Sequence, residues 1–499
     1  MTDHTKSKNS TEHIDAISVN DGPLKPQYEE LDKFGAALVK SPAEIALVKK
    51  LDRWMMPILW LMYFLNFLDR NAIVNGKIDN MDKDLKLTGV QYNTCVSIFF
   101  VGYLLGQVPS NMLLNRIKPS WYMSGWMMAW AVVSTLMAVV KDYKGMLACR
   151  FVLGITEAPF YPGGVYLISM FYTRKESATR MSVFYTGNLL ASSFSGLIAA
   201  PIFSGLEGRH GLEGWRWLFI IQGLITGMFS EVLLQVCITN TDAVGVAILA
   251  FFMLPNAPLE TRWLTQEERE LAHSRIAFDT TEKEGRVSVW KGLREACTDY
   301  RMWVFALMQN LHLSANGFKN FLPSVVQTLG FNRTVTLVLT CPPYLLSAFV
   351  SVAVSWSSGR FNERTWHITL SKTVAIIGFM IGTLTLNVGA RYFAMVLFVG
   401  ATYGVNNINL SWTASVLGQT DEKKAVAIAI ANTLGNLSFV YTPYLWPDSS
   451  KPRFSMAMWA SVGFSAGVIA CAWALRFILM RDNKKIRAAN SEAINFYVY

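Results

Sequence analysis

The sequence predicts an all-α membrane protein with twelve transmembrane helices in two six-helix halves. Three observations carry this prediction. The 499-residue chain is 52% hydrophobic but only 16% charged, whereas soluble domains carry about 25% charged residues. It contains twelve apolar segments of about 20 residues, the length that crosses a bilayer. A more polar stretch, residues 255–301, separates the first six segments from the last six.

The twelve segments are joined by short polar connectors, and the sixth is unusually long. We expect them near Trp54–Ile73, Tyr92–Leu113, Trp121–Val140, Met146–Met170, Met181–Ser204, Trp215–Leu254, Met302–Leu329, Val335–Ser357, His367–Asn387, Tyr392–Trp412, Ala425–Trp446 and Phe454–Met480. Residues 1–50 lack an apolar run of signal-peptide length, so we interpret them as a polar tail. The predicted parts are therefore a tail (1–50), an N-terminal half (51–254), a central loop (255–301), a C-terminal half (302–480) and a second tail (481–499).

Lysine and arginine collect in alternate connectors, which predicts the orientation of the chain. Basic residues mark cytoplasmic loops, and here they are Arg116, Lys118, Arg174, Lys175, Arg180, Arg360, Arg364, Lys372, Lys423, Lys424, Arg481, Lys484, Lys485 and Arg487. Both termini are therefore expected in the cytoplasm. The net charge of +10 then reflects contact with the membrane surface and gives no reason to expect a nucleic-acid partner.

The central loop contains a helix start signal. Thr265 is followed three residues later by Glu268, the spacing of a capping box. We predict a short helix that runs through Arg275. Its expected role is to tether the two halves, which we prefer to a catalytic role.

Four ionisable residues lie inside apolar segments. Asp69 and Arg70 are neighbours in the first segment, and Arg150 precedes Glu157 by seven residues in the fourth. A charge at membrane depth costs about 2.5–3.5 kcal/mol even on the lenient insertion scale, so it persists where it faces protein or a wet cavity. Seven residues are about two helical turns and return to one face. A shared polar cavity is expected. The alternative places Asp69 and Arg70 at a helix end in the headgroup zone.

Five motifs, in this order, resemble those of the major facilitator superfamily, specifically its anion:cation symporter branch and the fungal allantoate permease group. They are Leu68-Asp69-Arg70, the run from Gly102 to Asn111 with Arg116 after it, the run from Arg150 to Gly163, Gly214-Trp215-Arg216-Trp217, and Asn320-Phe321-Leu322-Pro323. The resemblance covers the chain from Leu51 to about Met480 and implies the major facilitator fold. Asn111 departs from the general superfamily motif, which has an aspartate there.

The resemblance implies roles for the matched residues. Asp69 and Glu157 correspond to proton-coupling carboxylates, and Arg70 to the residue that binds the substrate carboxylate. A low-dielectric cavity disfavours the charged form of a carboxylate, and a nearby arginine opposes that effect. Arg150 is expected to keep Glu157 ionised until a substrate anion competes for the guanidinium.

Further polar residues at membrane depth are candidates for the cavity wall. Those we assign to substrate binding, together with Arg70 and Arg150, are Tyr103, Gln107, Asn188, Asn432 and Asn436; Asn316, Lys319, Asn406 and Asn407 are further candidates. For each asparagine, a hydrogen bond between helices is an equal alternative. His312 is a candidate proton relay, although a single buried histidine is more often inert.

The function expected from these features is proton-coupled uptake of a small carboxylate at the plasma membrane by a monomer, with alternating access. Allantoate-like ureides, nicotinate and pantothenate are the substrate types that the resemblance suggests. The alternatives are an exporter or uniporter of organic anions and a nutrient sensor that does not transport. An intramembrane enzyme is disfavoured because no catalytic constellation recurs at membrane depth. The six cysteines show no metal-site spacing, so neither metal nor cofactor is expected.

The sixth segment is about twice the length needed to cross a bilayer. Removing about residues 227–243 would leave an ordinary apolar helix, and codons for Gly227-Met228-Phe229, Thr239-Asn240 and Ala243-Val244 can form intron-like donor, branch and acceptor sequences. We therefore interpret this stretch as a retained-intron insert. The alternative is a genuine extension or a broken helix.

Overall fold

The computed structural model describes residues 41–88, 90–114, 117–238, 254–279, 289–361, 363–418, 421–489 and 497. Within these ranges the chain forms twelve long helical segments, which confirms the predicted fold class. They are α1 (Pro42–Ile78), α2 (Gln91–Leu114), α3 (Pro119–Leu136, then Met137–Val139), α4 (Tyr143–Glu157, then Phe160–Phe171), α5 (Arg174–Leu206), α6 (Gly214–Ile238), α7 (Tyr300–Ala315, Asn316–Asn320 and Leu322–Gln327), α8 (Arg333–Leu339, then Cys341–Phe361), α9 (Thr365–Leu384), α10 (Val388–Thr402, then Gly404–Val416), α11 (Asp421–Asn436, Ser438–Tyr441 and Thr442–Leu445) and α12 (Ser455–Ala489).

Short helices lie in the connectors. They are Met81–Asp84, Arg209–Gly211, Pro258–Glu260, Gln266–Asp279, Val289–Thr298 and Asp448–Ser450. Six of the twelve long segments in the described ranges are, by length and composition alone, long and apolar enough to cross a membrane. Large apolar side chains such as Leu105, Phe349 and Phe477 lie on the outside of the bundle, where a bilayer would cover them.

Two features of the helices differ from the sequence predictions. α1 begins at Pro42, inside the predicted tail, because Ser41 and Glu44 form a capping box that starts the helix earlier. α9 begins at Thr365, close to the predicted His367, so Lys372 lies two turns inside this helix and is fully buried; it does not belong to a connector. The predicted insert begins within α6, which continues as a helix to Ile238; its remainder, residues 239–243, lies outside the described residues.

The central loop makes contacts with both halves, at the end of the bundle where α1 begins and α12 finishes. We call this the N/C end and the opposite end the far end. The predicted capping box is confirmed, since Thr265 Oγ1 accepts from the Glu268 amide at 3.3 Å. Glu268 then pairs with Lys50 of α1 at 2.6 Å, and Arg275 pairs with Glu176 of α5 at 2.6 Å. The helix Gln266–Asp279 is thereby fixed to the N-terminal half.

The second loop helix, Val289–Thr298, packs against α11 in the C-terminal half. The next residue, Asp299, caps α7 by accepting from the Arg301 amide at 3.0 Å. Its carboxylate also accepts from Lys423 of α11 at 2.7 Å. Each half therefore carries its own loop helix.

The two halves meet at the far end. Lys77 of α1 pairs with Asp448, which lies between α11 and α12, at 3.1 Å. Arg333, at the start of α8, forms an ion pair with Asp79 and lies 3.5 Å from Glu207. These contacts connect the N-terminal half to the C-terminal half across the bundle axis.

Helices α5 and α8 touch backbone to backbone in the same region. Ser193 donates to the Cys341 carbonyl at 3.1 Å and lies 3.0 Å from the Cys341 sulfur. A Cβ atom at Gly196 would collide with the Leu337 carbonyl oxygen. Glycine is therefore required there for α5 and α8 to approach this closely.

The apolar core has two parts. One cluster runs through the N-terminal half and continues into the far-end part of the C-terminal half. The other cluster, which includes Phe305, Trp412 and Leu475, belongs to the C-terminal half alone. The continuous packing between the halves is therefore at the far end.

Candidate substrate and proton site

A cavity lies between the two halves, and about 620 Å³ of space in and at its mouth is not occupied by protein atoms, part of it open to solvent. Both halves contribute to its wall. The lining residues are Tyr63, Asn66, Phe67, Arg70, Tyr103, Glu157, Tyr161, Tyr185 and Asn188 from the N-terminal half, and Leu313, Lys319, Asn406, Leu410, Asn432, Asn436 and Phe439 from the C-terminal half.

An ion pair between α1 and α4 forms the charged part of the N-terminal wall. Arg70 donates from Nε and Nη2 to one oxygen of Glu157, at 3.0 and 2.7 Å. The guanidinium also lies over the rings of Phe67, Phe99 and Tyr103, with its central carbon 4.6 to 5.2 Å from their centroids. These contacts fix the orientation of Arg70 because a guanidinium is attracted to the face of an aromatic ring.

Glu157 reaches the cavity because α4 packs closely on α2. A Cβ atom at Gly154 would collide with the Phe99 carbonyl oxygen, so a glycine one turn before Glu157 permits this approach. The first part of α4 ends at Glu157, and Pro159 precedes the second part. The carboxylate is 1% exposed, and its second oxygen has no hydrogen-bond partner among the described residues.

A second cation, Lys319, lies on the opposite wall. It belongs to the 3-10 segment Asn316–Asn320 that interrupts α7. Its Nζ atom lies 3.8 Å from the ring centroid of Phe439 and 5.6 Å from that of Phe100. In the described part of the chain, Lys319 forms no ion pair with a carboxylate.

Asp69 lies behind the cavity wall, which corrects the expectation that all four ionisable residues face one cavity. Successive residues on a helix point about 100° apart, so Asp69 faces α3 and α6 when its neighbour Arg70 faces the cavity. Its oxygens accept from Thr226 at 2.9 Å and Ser134 at 3.4 Å. The carboxylate is fully buried and, within the described ranges, has no basic partner.

Arg150 is also absent from the cavity wall. It is buried two turns before Glu157, where Nε donates to the Cys95 carbonyl at 3.3 Å and the guanidinium lies over the Phe99 ring. The residue shares a helix face with Glu157 as predicted, but two turns are about 10 Å along the axis. Arg70, not Arg150, therefore forms the ion pair with Glu157. Gln107 is buried on α2, likewise outside the wall.

The structure brings five further predicted polar residues, Tyr103, Asn188, Asn406, Asn432 and Asn436, to the cavity. Asn316 instead bonds to His312 at 3.2 Å. Sequence reasoning missed Tyr63, Asn66, Tyr161 and Tyr185. A signal was present on α1, where Tyr63, Asn66, Phe67 and Arg70 recur at helical spacing. No group of three His, Cys, Asp or Glu residues suited to a metal occurs within the described ranges.

Comparison with known proteins defines the class to which this fold and cavity belong. Residues 59–443 match the family model described as Major Facilitator Superfamily. The chain belongs to this family of membrane transporters, which are not enzymes.

Fungal transporters are similar to the chain over most of its length. It is 31% identical to the MFS-type transporter cnsO of Penicillium expansum, covering 88% of this chain and 84% of the relative. It is 28% identical to the major facilitator-type transporter hxnP of Emericella nidulans, covering 93% and 90%.

Solved structures share the fold. A bacterial homolog of the human lysosomal transporter Spinster, in an inward-facing and occupied conformation, has a TM-score of 0.64 at 15% identity, covering 89% of this chain and 99% of that one. A D-xylose–proton symporter has a TM-score of 0.58 at 14% identity, covering 84% and 96%.

Proposed function

We propose that the protein is a proton-coupled transporter that takes up a small organic anion by alternating access. It acts as a monomer in the plasma membrane with both termini in the cytoplasm. The substrate types we propose are ureides such as allantoate, nicotinate or pantothenate. The observation that supports this most is the Arg70–Glu157 ion pair in a cavity between the two halves.

The charges of the cavity favour an anion. Arg70 and Lys319 are both cations, and Glu157 is the one carboxylate among the described residues that line the cavity. With Glu157 ionised the wall carries an excess positive charge. A carboxylate ligand would balance that charge by binding Lys319, and it would compete with Glu157 for the planar guanidinium of Arg70.

The same competition supports coupling to protons. When a substrate carboxylate occupies Arg70, Glu157 loses its cation while it stays buried. An unpaired buried carboxylate is costly, and protonation removes the cost. Substrate binding and protonation of Glu157 are thereby linked. Asp69 is the second proton carrier in this proposal, because two hydroxyl groups donate to it and no basic residue in the described part of the chain pairs with it.

The arrangement of the halves supports alternating access. The far end is closed by the ion pairs of Lys77 and Arg333 and by the α5–α8 contact. With both termini in the cytoplasm, the far end faces outside and the conformation faces inward. Opening the far end then requires the halves to rock and these pairs to separate.

The test is uptake by purified protein in liposomes. Labelled allantoate, nicotinate and pantothenate are offered singly, with and without a proton gradient directed into the lumen, and with a protonophore. We expect one of these anions to accumulate only with the gradient. Equilibration to equal concentrations with and without the proton gradient indicates a uniporter. Uphill movement of the anion in the direction opposite to the proton flow indicates an exporter, and absence of flux for every anion contradicts the proposal.

A further inference from the structure

A second cavity lies at the N/C end, where the start of α3 meets the first residues of the central loop. About 530 Å³ of space in and at its mouth is not occupied by protein atoms, part of it open to solvent. Its wall includes Lys118, Ser120, Trp121, Glu260, Arg262 and Trp263. None of these residues takes part in the transport mechanism proposed above.

The loop side of this cavity is fixed in place by side-chain contacts. The backbone amide of Ser120 donates to the side-chain oxygen of Asn256 at 3.2 Å, and the Ser120 hydroxyl donates to the same oxygen. Trp263 stacks on Trp54 of α1, with ring centroids 6.3 Å apart. The cavity therefore has two walls that are held against each other, one from α3 and one from the central loop.

The wall carries an excess of positive charge. Among the described residues that line the cavity, Lys118 and Arg262 are cations and Glu260 is a carboxylate. Lys118 Nζ lies 3.6 Å from Glu260, and both side chains are more than half exposed, so this pair contributes little to stability. Arg262 is exposed and, in the part of the chain that the structure describes, forms no ion pair. Both cations are therefore open to an anionic ligand.

An exposed apolar stripe leads away from the cavity along α3. Trp121 lines the cavity and is 42% exposed, and Val132 and Leu136 are each 51% exposed. These three residues lie close to whole helical turns apart, so they share one face. Among the described residues, no atom of another helix lies within 4 Å of where a Cβ atom of Gly125 would be. The stripe therefore has an open groove about one turn from the cavity.

This arrangement matches the two parts of a phospholipid. Tryptophan and basic residues are enriched where transmembrane helices leave the hydrocarbon region, and basic pockets at the cytoplasmic ends of helices bind anionic headgroups. We propose that the cavity binds the headgroup of phosphatidylserine, with the acyl chains along the exposed stripe of α3. Its position in the cytoplasmic leaflet rests on the proposed orientation of the chain, whereas binding of the lipid does not.

The charges of the wall select this headgroup. Phosphatidylserine carries a phosphate, a carboxylate and an ammonium group, which complement the two cations and the carboxylate of Glu260. Phosphatidylglycerol has no ammonium group and would leave Glu260 unpaired beside a phosphate. Phosphatidylethanolamine has no carboxylate and would leave one cation unpaired. The indole Nε1 of Trp263 is buried and has no hydrogen-bond partner among the described residues, and a headgroup oxygen would supply one.

A bound headgroup would also join two parts of the chain. Lys118 comes directly before α3, whereas Arg262 belongs to the central loop. A lipid that binds both side chains adds a bridge between the loop and the N-terminal half. Phosphatidylserine should therefore raise the temperature of unfolding, since a ligand that binds only the folded state stabilises it.

The test is lipid binding to purified full-length protein in a neutral detergent, measured by native mass spectrometry. The probes are dioctanoyl phosphatidylserine, phosphatidylglycerol and phosphatidylethanolamine. We expect wild type to bind phosphatidylserine most tightly. K118M and R262M should each weaken this binding by about fivefold, the effect of one basic residue near an anionic lipid. K484M, which removes an exposed lysine of α12 at the same end, is the matched control and should bind as wild type does.

E260Q tests the selection of the headgroup. This variant removes the partner of the ammonium group and the repulsion of other phosphates, so its affinity for phosphatidylglycerol should rise to that for phosphatidylserine. Wild-type protein that binds phosphatidylglycerol as tightly as phosphatidylserine would overturn the assignment of the serine headgroup.

Two further outcomes would overturn the lipid site itself. One is equal affinity of wild type, K118M and R262M for phosphatidylserine. The other is displacement of phosphatidylserine by an equal concentration of inorganic phosphate, which would indicate a site for free phosphate. If a methionine variant does not fold, as judged by size-exclusion chromatography, K118Q and R262Q give the same comparison. Since no transport is measured, the result is independent of the uptake experiment.

Discussion

The guanidinium of Arg70 on α1 donates two hydrogen bonds to one carboxylate oxygen of Glu157 on α4, at 3.0 and 2.7 Å. Both side chains line the cavity between the halves. A ligand carboxylate cannot take the same donor atoms of Arg70 while Glu157 holds them. We therefore expect binding of an anion at this pair to be linked to the charge of Glu157.

Replacing Glu157 by glutamine should separate exchange from accumulation. E157Q removes the titrating group but keeps an oxygen for Arg70, so substrate exchange between equal compartments should continue. Accumulation driven by a proton gradient should be lost. Labelled-substrate uptake and counterflow in liposomes measure the two activities. E267Q, which changes an exposed glutamate of the loop helix Gln266–Asp279, is the matched control. Full accumulation by E157Q would remove Glu157 from the coupling role.

Lys319 should determine substrate affinity. Loss of a charge-assisted hydrogen bond costs about 1.5–3 kcal/mol, so K319M should weaken binding by about tenfold to a hundredfold. K319R keeps the charge and should retain most of the affinity. Competition with unlabelled substrate measures this effect. Equal affinities of K319M and wild type would show that the substrate does not reach this wall.

Closure of the far end can be tested with a disulfide. Ser193 Oγ lies 3.0 Å from the sulfur of Cys341 in the facing half, so S193C should crosslink to Cys341 on oxidation. Transport should stop when the bond forms and return on reduction. Mass spectrometry identifies the crosslinked peptide. S193C combined with C341S is the control, and continued transport by the crosslinked protein would mean that the far end need not open.

Asp299 should stabilise the C-terminal half in a pH-dependent way. Burial alone would raise its pKa, but hydrogen bonds from Arg301 and Lys423 outweigh burial and lower the pKa to about 2. The stabilisation is therefore complete above the unfolded value of about 4 and declines as the pH falls toward 2. D299N keeps the helix cap and should reduce the free energy of unfolding at pH 7 by about 1–2 kcal/mol.

Thermal unfolding in detergent at several pH values measures this difference. The difference in stability between wild type and D299N should be constant from about pH 7 to about pH 5 and should become smaller below about pH 4. D482N, which removes the weaker partner of Arg301 at 3.5 Å, is the control and should have a smaller effect. A difference in stability that does not change with pH would show that the ion pairs of Asp299 are not its cause.

The insert hypothesis predicts a second messenger RNA. If codons near 227–243 are an intron, amplification of cDNA across α6 should give a shorter product that joins the codons on either side. A single full-length product would show that the stretch is a genuine part of the protein. Ser230 of α6 donates to the Ser124 carbonyl of α3 at 2.7 Å. In the full-length protein the first part of the stretch therefore contacts a neighbouring helix.

The lengths of the apolar segments predicted the arrangement of helices, and charged residues inside those segments predicted that Arg70 and Glu157 lie in a polar cavity. Both features can be recognised from short stretches of the sequence. The prediction that Asp69 also faces the cavity is wrong, because the sequence does not show which of two adjacent residues on a helix points toward the cavity. The sequence alone does not show whether a lysine near the predicted end of a segment lies in a connector or inside a helix. The packing of α9 against α10 and α12 shows that Lys372 is enclosed.

The two loop helices have a consequence for the covalent chain. One is held on the N-terminal half by Arg275 and Glu176, and the other precedes Asp299, which is held on the C-terminal half by Lys423. A break in the polypeptide between residues 279 and 289 would therefore remove none of these ion pairs. The gene can be divided there, and the two products, made together in one cell, should assemble into a working carrier.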